Sequence, residues 1–197
     1  MNQRLVWNFE LSSPKVISSF PQAFTPEELK WEIRYFWPEN HIIPLYAIDS
    51  GLGELTHYKQ KYKEDIYFLL PDCNYNIKFR RQELLYKPLL NKTDKARGFG
   101  PKVNLANSDI LPLQKIHDQV QKQGIQLFVT KSSFIYTFKT TPQVKLELAK
   151  LTVNNTVFFS MCIEGKSLQL VEKINEQIVD KQPACDYVHF LKSIIKL

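Results

Sequence analysis

Charged residues recur two apart along this chain, with apolar residues between them. Lys30-Trp31-Glu32-Ile33-Arg34-Tyr35 is the sharpest copy. Ile77-Lys78-Phe79-Arg80, Lys145-Leu146-Glu147-Leu148 and Ile163-Glu164-Gly165-Lys166 follow it. Successive strand side chains point to opposite faces, so each segment, read as a strand, has one apolar face and one charged face of both signs. Arginine takes phosphate through paired hydrogen bonds and lysine acts as a compact point charge. Carboxylates among them could supply oxygen ligands to a hard divalent cation. If the sheet closes with this face inward, its interior is a charged tunnel for an anion and a metal ion. The simpler arrangement is an antiparallel sheet with its charged face in water. Alternation alone does not separate the two.

The elements that must position these residues are mainly strands. Val6 to Leu11 reads as a strand and Ser12-Ser13-Pro14 as a turn; Thr25-Pro26-Glu27-Glu28 is a helix-start signal with room for a single turn. Strands are predicted at 30–37, 41–48, 65–70, 75–81 and 83–87, broken by Pro38, Pro71 and Pro88. Residues 91–102 read as a basic loop. Ile110, Leu113, Ile116 and Val120 give a helical face over 109–123, with Gly124 as its stop. Four more strands are predicted at 126–130, 134–139, 144–151 and 157–164. Helices are predicted over 168–179 and in the tail from Asp186.

Composition narrows the class. A chain of 197 residues with 44% hydrophobic content suits one domain, and its 13% aromatic content favours strands. Neither GxGxxG nor GxxxxGK[ST] occurs. The net charge of +6 suggests an anionic partner, whether nucleic acid, nucleotide, polyphosphate or an acidic surface. Lys59-Gln60-Lys61-Tyr62-Lys63 reads as a solvated run. Cys73, Cys162 and Cys185 are widely spaced and form no zinc pattern, and their odd count favours a reducing, cytoplasmic compartment. His41, His57, His117 and His189 mark no nucleophile–base pair. No run of about 18 apolar residues occurs, so no membrane-spanning helix is expected.

The order of these segments resembles a divergent CYTH domain of the triphosphate tunnel superfamily. The family's opening acid-x-acid-x-Lys strand is matched by Lys30-Trp31-Glu32-Ile33-Arg34, its D-x-Y-F strand by Asp65-Ile66-Tyr67-Phe68, and its R-x-R strand by Lys78-Phe79-Arg80. A strand ending in Lys is matched by Leu84-Leu85-Tyr86-Lys87, and a basic strand by Lys131 to Tyr136. The central acid is matched by Glu147, the closing acidic strand by Cys162-Ile163-Glu164, and a late aromatic by Tyr187. The resemblance covers residues 30–190. Each motif alone is weak; their succession carries it.

It implies an α+β, mainly β fold: a single tunnel domain built as a closed antiparallel barrel of about eight strands with helices packed outside. Residues 1–29 would be an extension and 91–125 a loop-plus-helix insertion. The implied activity is divalent-metal-dependent hydrolysis of an inorganic or organic triphosphate. Arg34, Lys78, Arg80, Lys87 and Lys131 would bind phosphates, and Glu32, Glu147 and Glu164 would hold Mg²⁺ or Mn²⁺. Two departures stand against catalysis: Lys30 and Cys162 replace acids of the family pattern. The alternative is a phosphate- or nucleotide-binding protein on the same fold, with RNA binding through Lys92 to Arg97 a weaker third. Read without the resemblance, Lys78 and Arg80 could pair with Glu147 or Glu83 on a wet face, Glu164 could be a strand-end carboxylate, and Lys131 beside Ser132-Ser133 sits in a turn exposed to solvent.

Overall fold

A computed structural model describes residues 3–13 and 24–197; part of the turn expected at 12–14 lies outside them. The first four strands are β1 (Gln3–Val6), β2 (Phe9–Ser12), β3 (Lys30–Pro38) and β4 (Ile43–Tyr46). Then come β5 (Lys59–Leu70), β6 (Cys73–Arg80), β7 (Glu83–Lys87), β8 (Leu89–Lys92), β9 (Arg97–Phe99) and β10 (Val103–Asn104). Helix α1 (Leu111–Gln123) precedes β11 (Ile125–Thr137), β12 (Val144–Val153) and β13 (Thr156–Gly165); α2 (Leu168–Ile178) and α3 (Tyr187–Ile195) end the chain. The fold is mainly β.

Ten strands form one antiparallel sheet in the order β10-β7-β6-β5-β11-β12-β13-β3-β9-β8, and β1-β2-β4 form a smaller mixed sheet. The large sheet curls into a half-barrel whose β10 and β8 edges do not pair, so the expected closed barrel of about eight strands is corrected. Pro88 supplies the reason. It has no N–H to give a ladder and fixes its own φ, so the strand breaks there. The first half, β7, pairs with β6, while the second, β8, pairs with β9 at the other end of the sheet. One residue thus links β7, next to the β10 edge, to the β8–β9 end of the sheet, and the Gly100 amide donates to the Pro88 carbonyl at 3.0 Å.

Other expectations shift for local reasons. The basic loop at 91–102 is partly the β8–β9 ladder. The two strands expected at 126–139 are one strand, β11, which pairs through Lys131-Ser132-Ser133 without a turn. No helix forms at 25–29. Instead the Glu27 carboxylate accepts hydrogen bonds from Trp31 Nε1 at 2.6 Å and from the Leu168 amide at 2.7 Å, satisfying the start of α2.

Alternation sorts the side chains into three apolar clusters. Trp31, Ile33, Tyr35 and Trp37 on the convex side of β3 pack with Val171, Ile174 and Ile178 of α2 and with the small sheet. Leu70, Ile77 and Leu84 are covered by Ile116 and Val120 of α1. The third cluster lies inside the curl. Tyr67, Leu69, Leu127, Val129 and Leu151 pack against Tyr187, Val188, Phe190 and Leu191 of α3. That helix therefore fills part of the concave face, whereas helices were expected outside the sheet and at its ends. Its Asp186 cap accepts from the Val188 and His189 amides, and Phe190 stacks on Phe36 at 3.7 Å between centroids.

Replacing Phe190 with Ala removes this stacked ring from the plug and is expected to cost about 3–5 kcal/mol. Phe128, 54% exposed on the convex side, should lose no more than about 0.5 kcal/mol when cut to Ala. Denaturant unfolding of the two variants checks the pair: similar losses would contradict the placement of α3.

Candidate functional site in the concave face

Where the apolar plug of α3 ends, the concave face turns charged. Along β5 the inward positions run Lys61, Lys63, Asp65, then Tyr67 and Leu69; along β12, Glu147 is followed by Ala149 and Leu151. The apolar half anchors α3, and the charged half lines a cavity of about 720 Å³. Tyr187 and Tyr67, stacked at 4.9 Å, lie at the boundary, with the Arg34 guanidinium 5.2 Å from the Tyr187 ring centroid. All eight residues singled out from the sequence line this one cavity: Arg34, Lys78, Arg80, Lys87 and Lys131 with Glu32, Glu147 and Glu164.

Four carboxylates hold the interior together. Glu147 accepts from Lys131 Nζ at 2.7 Å and from Arg34 Nη1 at 3.3 Å, and Arg34 also donates to Ser160 Oγ at 3.2 Å. Glu32 pairs with Lys87 across the mouth of the half-barrel and lies 3.9 Å from Arg34. Asp65 takes Arg80 through two hydrogen bonds and Lys78 at 3.3 Å. Glu164 pairs with Lys30 at 2.7 Å. Burial opposes ionisation of Glu147, but Lys131 and Arg34 outweigh it and hold the carboxyl far below the usual range. Glu32 is likewise penalised by burial, yet Lys87 and Arg34 bring it down to about 2.

The cations outnumber these partners. Thirteen Lys and Arg line the cavity against five carboxylates, from a chain with 26 and 20 in all. The cavity therefore holds the whole positive excess of the molecule. Lys61, Lys63 and Lys102 have no carboxylate partner among the described residues. Burial and then Lys131 and Arg80 push Lys63 down to about 8, with Glu147 opposing. Burial and then Arg80, Lys131 and Lys102 push Lys78 down to about 7, although Asp65 pulls the other way. Lys102 is lowered by burial, Arg80, Lys87 and Lys30. Such crowding favours a bound anion, because each negative charge brought in relieves several repulsions at once.

Several sequence expectations change here. The run read as solvated is exposed from Lys59 to Tyr62, but exposed Lys61 and half-buried Lys63 sit on the inward face of β5 and line the cavity. Lys131, read as exposed, is buried, because it lies mid-strand on the inward face of β11. Lys78 and Arg80 pair with Asp65 rather than with Glu147 or Glu83. Asp65 is the acid that sequence reasoning undervalued; its D-x-Y spacing placed it one inward position from Tyr67. Lys30 adds an ammonium beside Glu164, and Cys162, opposite Arg34 in register, is buried with its thiol pushed well up by burial.

The donor set as arranged does not fit Mg²⁺ or Mn²⁺. Glu32, Glu147 and Glu164 do line one cavity, but each is held by an ammonium group. Among the described residues no group of three His, Cys, Asp or Glu side chains is placed to hold a metal ion. A hard cation needs several free carboxylate or carbonyl oxygens; here it would have to displace Lys87, Lys131 and Lys30.

The lowered lysines have a consequence for the free protein. An unfolded lysine titrates near 10.5, whereas Lys78 and Lys63 do so at about 7 and about 8 when folded. Above pH 7 the unfolded chain therefore binds more protons, and stability from these two groups rises with pH. Unfolding free energy measured at pH 7 and pH 9 is expected to increase, and to increase less in Lys78→Met. A gain of equal size in that variant would contradict the assignment.

No protein-family model matches the chain, and no curated protein matches it. The CYTH resemblance thus rests on the order of its motifs.

Proposed function

We propose that this protein binds a compact polyanion, a triphosphate or a ligand bearing a phosphate chain, in the concave cavity. The observation that carries the reading is the unbalanced charge: thirteen cations around about 720 Å³, six of them (Lys61, Lys63, Lys95, Lys102, Lys145 and Lys166) without an ion pair among the described residues. The sequence resemblance to triphosphate tunnel proteins points to the same ligand class.

The shape supports a small ligand over a nucleic acid. The α3 plug covers the inner end, so an extended strand has no passage along the concave face. Of the Lys92–Arg97 segment, Arg97 turns inward, donates to the Thr93 and Ala96 carbonyls and lies 3.7 Å from Asp186. Binding is the reading the geometry favours over hydrolysis. Arg34 and Arg80 are oriented by carboxylates and line the cavity, and guanidinium groups held in this way can take phosphate oxygens through paired hydrogen bonds. Lys63 and Lys102 would neutralise charge without first breaking an ion pair. The carboxylates expected to hold a catalytic metal serve instead as counter-charges to Lys87, Lys131 and Lys30.

Calorimetric titration with tripolyphosphate in EDTA tests this. Binding should appear without a divalent ion, weaken with added salt, and raise the unfolding temperature. Lys63→Met should bind about tenfold more weakly, yet leave the free protein as stable or more so, since it removes an unpaired, half-buried cation. Phosphate release with Mg²⁺ or Mn²⁺ should stay at background. No thermal shift at millimolar tripolyphosphate would overturn the proposal, and metal-dependent turnover abolished by Glu32→Gln, Glu147→Gln or Glu164→Gln would restore the hydrolase reading.

A further inference from the structure

Lys63 stands apart among the cations of the concave cavity. It lies on the inward face of β5, directly opposite Lys131 of β11 in the antiparallel ladder. Side chains paired in this way are neighbours, and like charges directly opposite one another are destabilising. Glu147 accepts from Lys131 and compensates it, whereas Lys63 makes no hydrogen bond or ion pair among the described residues. The other unpaired lysines are placed differently. Lys145 faces Glu164 across the β12–β13 ladder, Lys95 neighbours Glu172, and Lys61, Lys102 and Lys166 are exposed. The charged groups that share this part of the cavity with Lys63 are Lys61 and Asp65 on its own strand, Lys131 on β11, Lys78 and Arg80 on β6, and Glu147 on β12. Both carboxylates are already taken, Asp65 by Lys78 and Arg80, and Glu147 by Lys131 and Arg34. Lys63 is thus left without an anion to hold its proton.

We propose that Lys63 is a carbamylation site, its Nζ forming a reversible carbamate with dissolved carbon dioxide. The Nζ lone pair bonds to the carbon, one C–O π pair moves onto oxygen, and an Nζ proton passes to water. No oxidant, reductant or further reactant is needed. The step uses the neutral amine, which a lysine desolvated beside other cations supplies. Burial and then Lys131 bring Lys63 down to about 8. About half of it is therefore neutral at pH 8, against fewer than about one in a hundred of an ordinary lysine. The product also suits the cavity better than the reactant. An ammonium facing Lys131 becomes a carboxylate facing Lys131, with Lys61 and Arg80 among the neighbouring cations that stabilise it. Lys78 is the poorer site although it is lowered further, because Asp65 lies 3.3 Å from its Nζ and would repel a carbamate there. This inference goes beyond anion binding: the ligand is an uncharged molecule that becomes an anion only on this side chain.

Carbon-13 NMR of the protein in ¹³C-bicarbonate at pH 8, with the lysine Nζ atoms labelled with ¹⁵N, tests the site. A carbamate carbon split by its bonded ¹⁵N should appear, distinct from the unsplit carbamate of the N-terminal amine. Lys63→Met should remove the split signal. Lys63→Arg, which keeps the positive charge but offers no neutral amine, should remove it as well. The site is overturned if no split signal appears, or if the signal survives both variants. Because this measurement involves no phosphate, it stands or falls separately from the anion-binding reading. Where tripolyphosphate binds, it should lower the Lys63 signal at least about twofold by competing for the same cations. An undiminished signal beside bound tripolyphosphate would overturn the placement of the carbamate in this cavity.

Discussion

Cations on facing strands can be curled toward one another only if carboxylates are set among them, and Glu147 shows how this chain meets that condition. It lies on the central strand β12, accepts from Lys131 on one neighbour and from Arg34 two strands away, and so ties β11, β12 and β3 together through one buried anion. Asp65 does the same for the Lys78–Arg80 pair of β6, and Glu32 draws Lys87 of β7 across the mouth. Removing one member of such a buried pair costs more than the pair contributes, because its partner is left charged in a low-dielectric site. The curvature of the sheet and the position of α3 both follow from this division of the concave face into a compensated charged half and an apolar half.

The compensation is incomplete, and the proposed anion binding rests on that incompleteness. A core optimised for stability would match each lysine or replace it with an apolar residue. Here Lys61, Lys63 and Lys102 face a cavity already positive, and burial together with neighbouring cations lowers Lys63 and Lys102. Strain of this kind is commonly stored where a ligand relieves it. The two departures from the family pattern act in the same direction: Lys30 adds an ammonium next to Glu164, and Cys162 puts an uncharged thiol opposite Arg34. Each puts a residue without a carboxylate where the family pattern has one, which leaves the interior more positive.

Much of the site was legible in the sequence, because strand alternation is a strict geometric rule. Once Lys30-Trp31-Glu32-Ile33-Arg34 is a strand, Trp31 and Ile33 must lie opposite Glu32 and Arg34, and the convex cluster and the cavity divide in just that way. What alternation does not encode is where a sheet ends. Pro88 was read as a strand stop, but a stop does not tell that the next residues pair with the opposite end of the sheet. Lys61 and Lys63 were missed because a Lys-rich run with no apolar partner positions looks the same on a wet face as on an enclosed one; only the pairing of β5 with β11 turns it inward. The amphipathic tail was legible as a helix, but its apolar face fits a convex or a concave sheet equally well, so its place as a plug had no local signal. The pairing of Asp65 with Lys78 and Arg80 depends on the β5–β6 register, which sequence spacing leaves open.

The central claim is that the cavity holds positive charge in excess of its counter-charges until an anion arrives. Selective ¹³C labelling of the lysine Cε positions, with NMR titration of Lys63 and Lys78 in the free protein and at saturating tripolyphosphate, measures that excess directly. Free Lys78 and Lys63 should titrate at about 7 and about 8, and both should move up toward the ordinary lysine range of about 10.4 when the anion is bound. Lysines that titrate in the ordinary range in the free protein, or that do not respond to tripolyphosphate, would contradict the account.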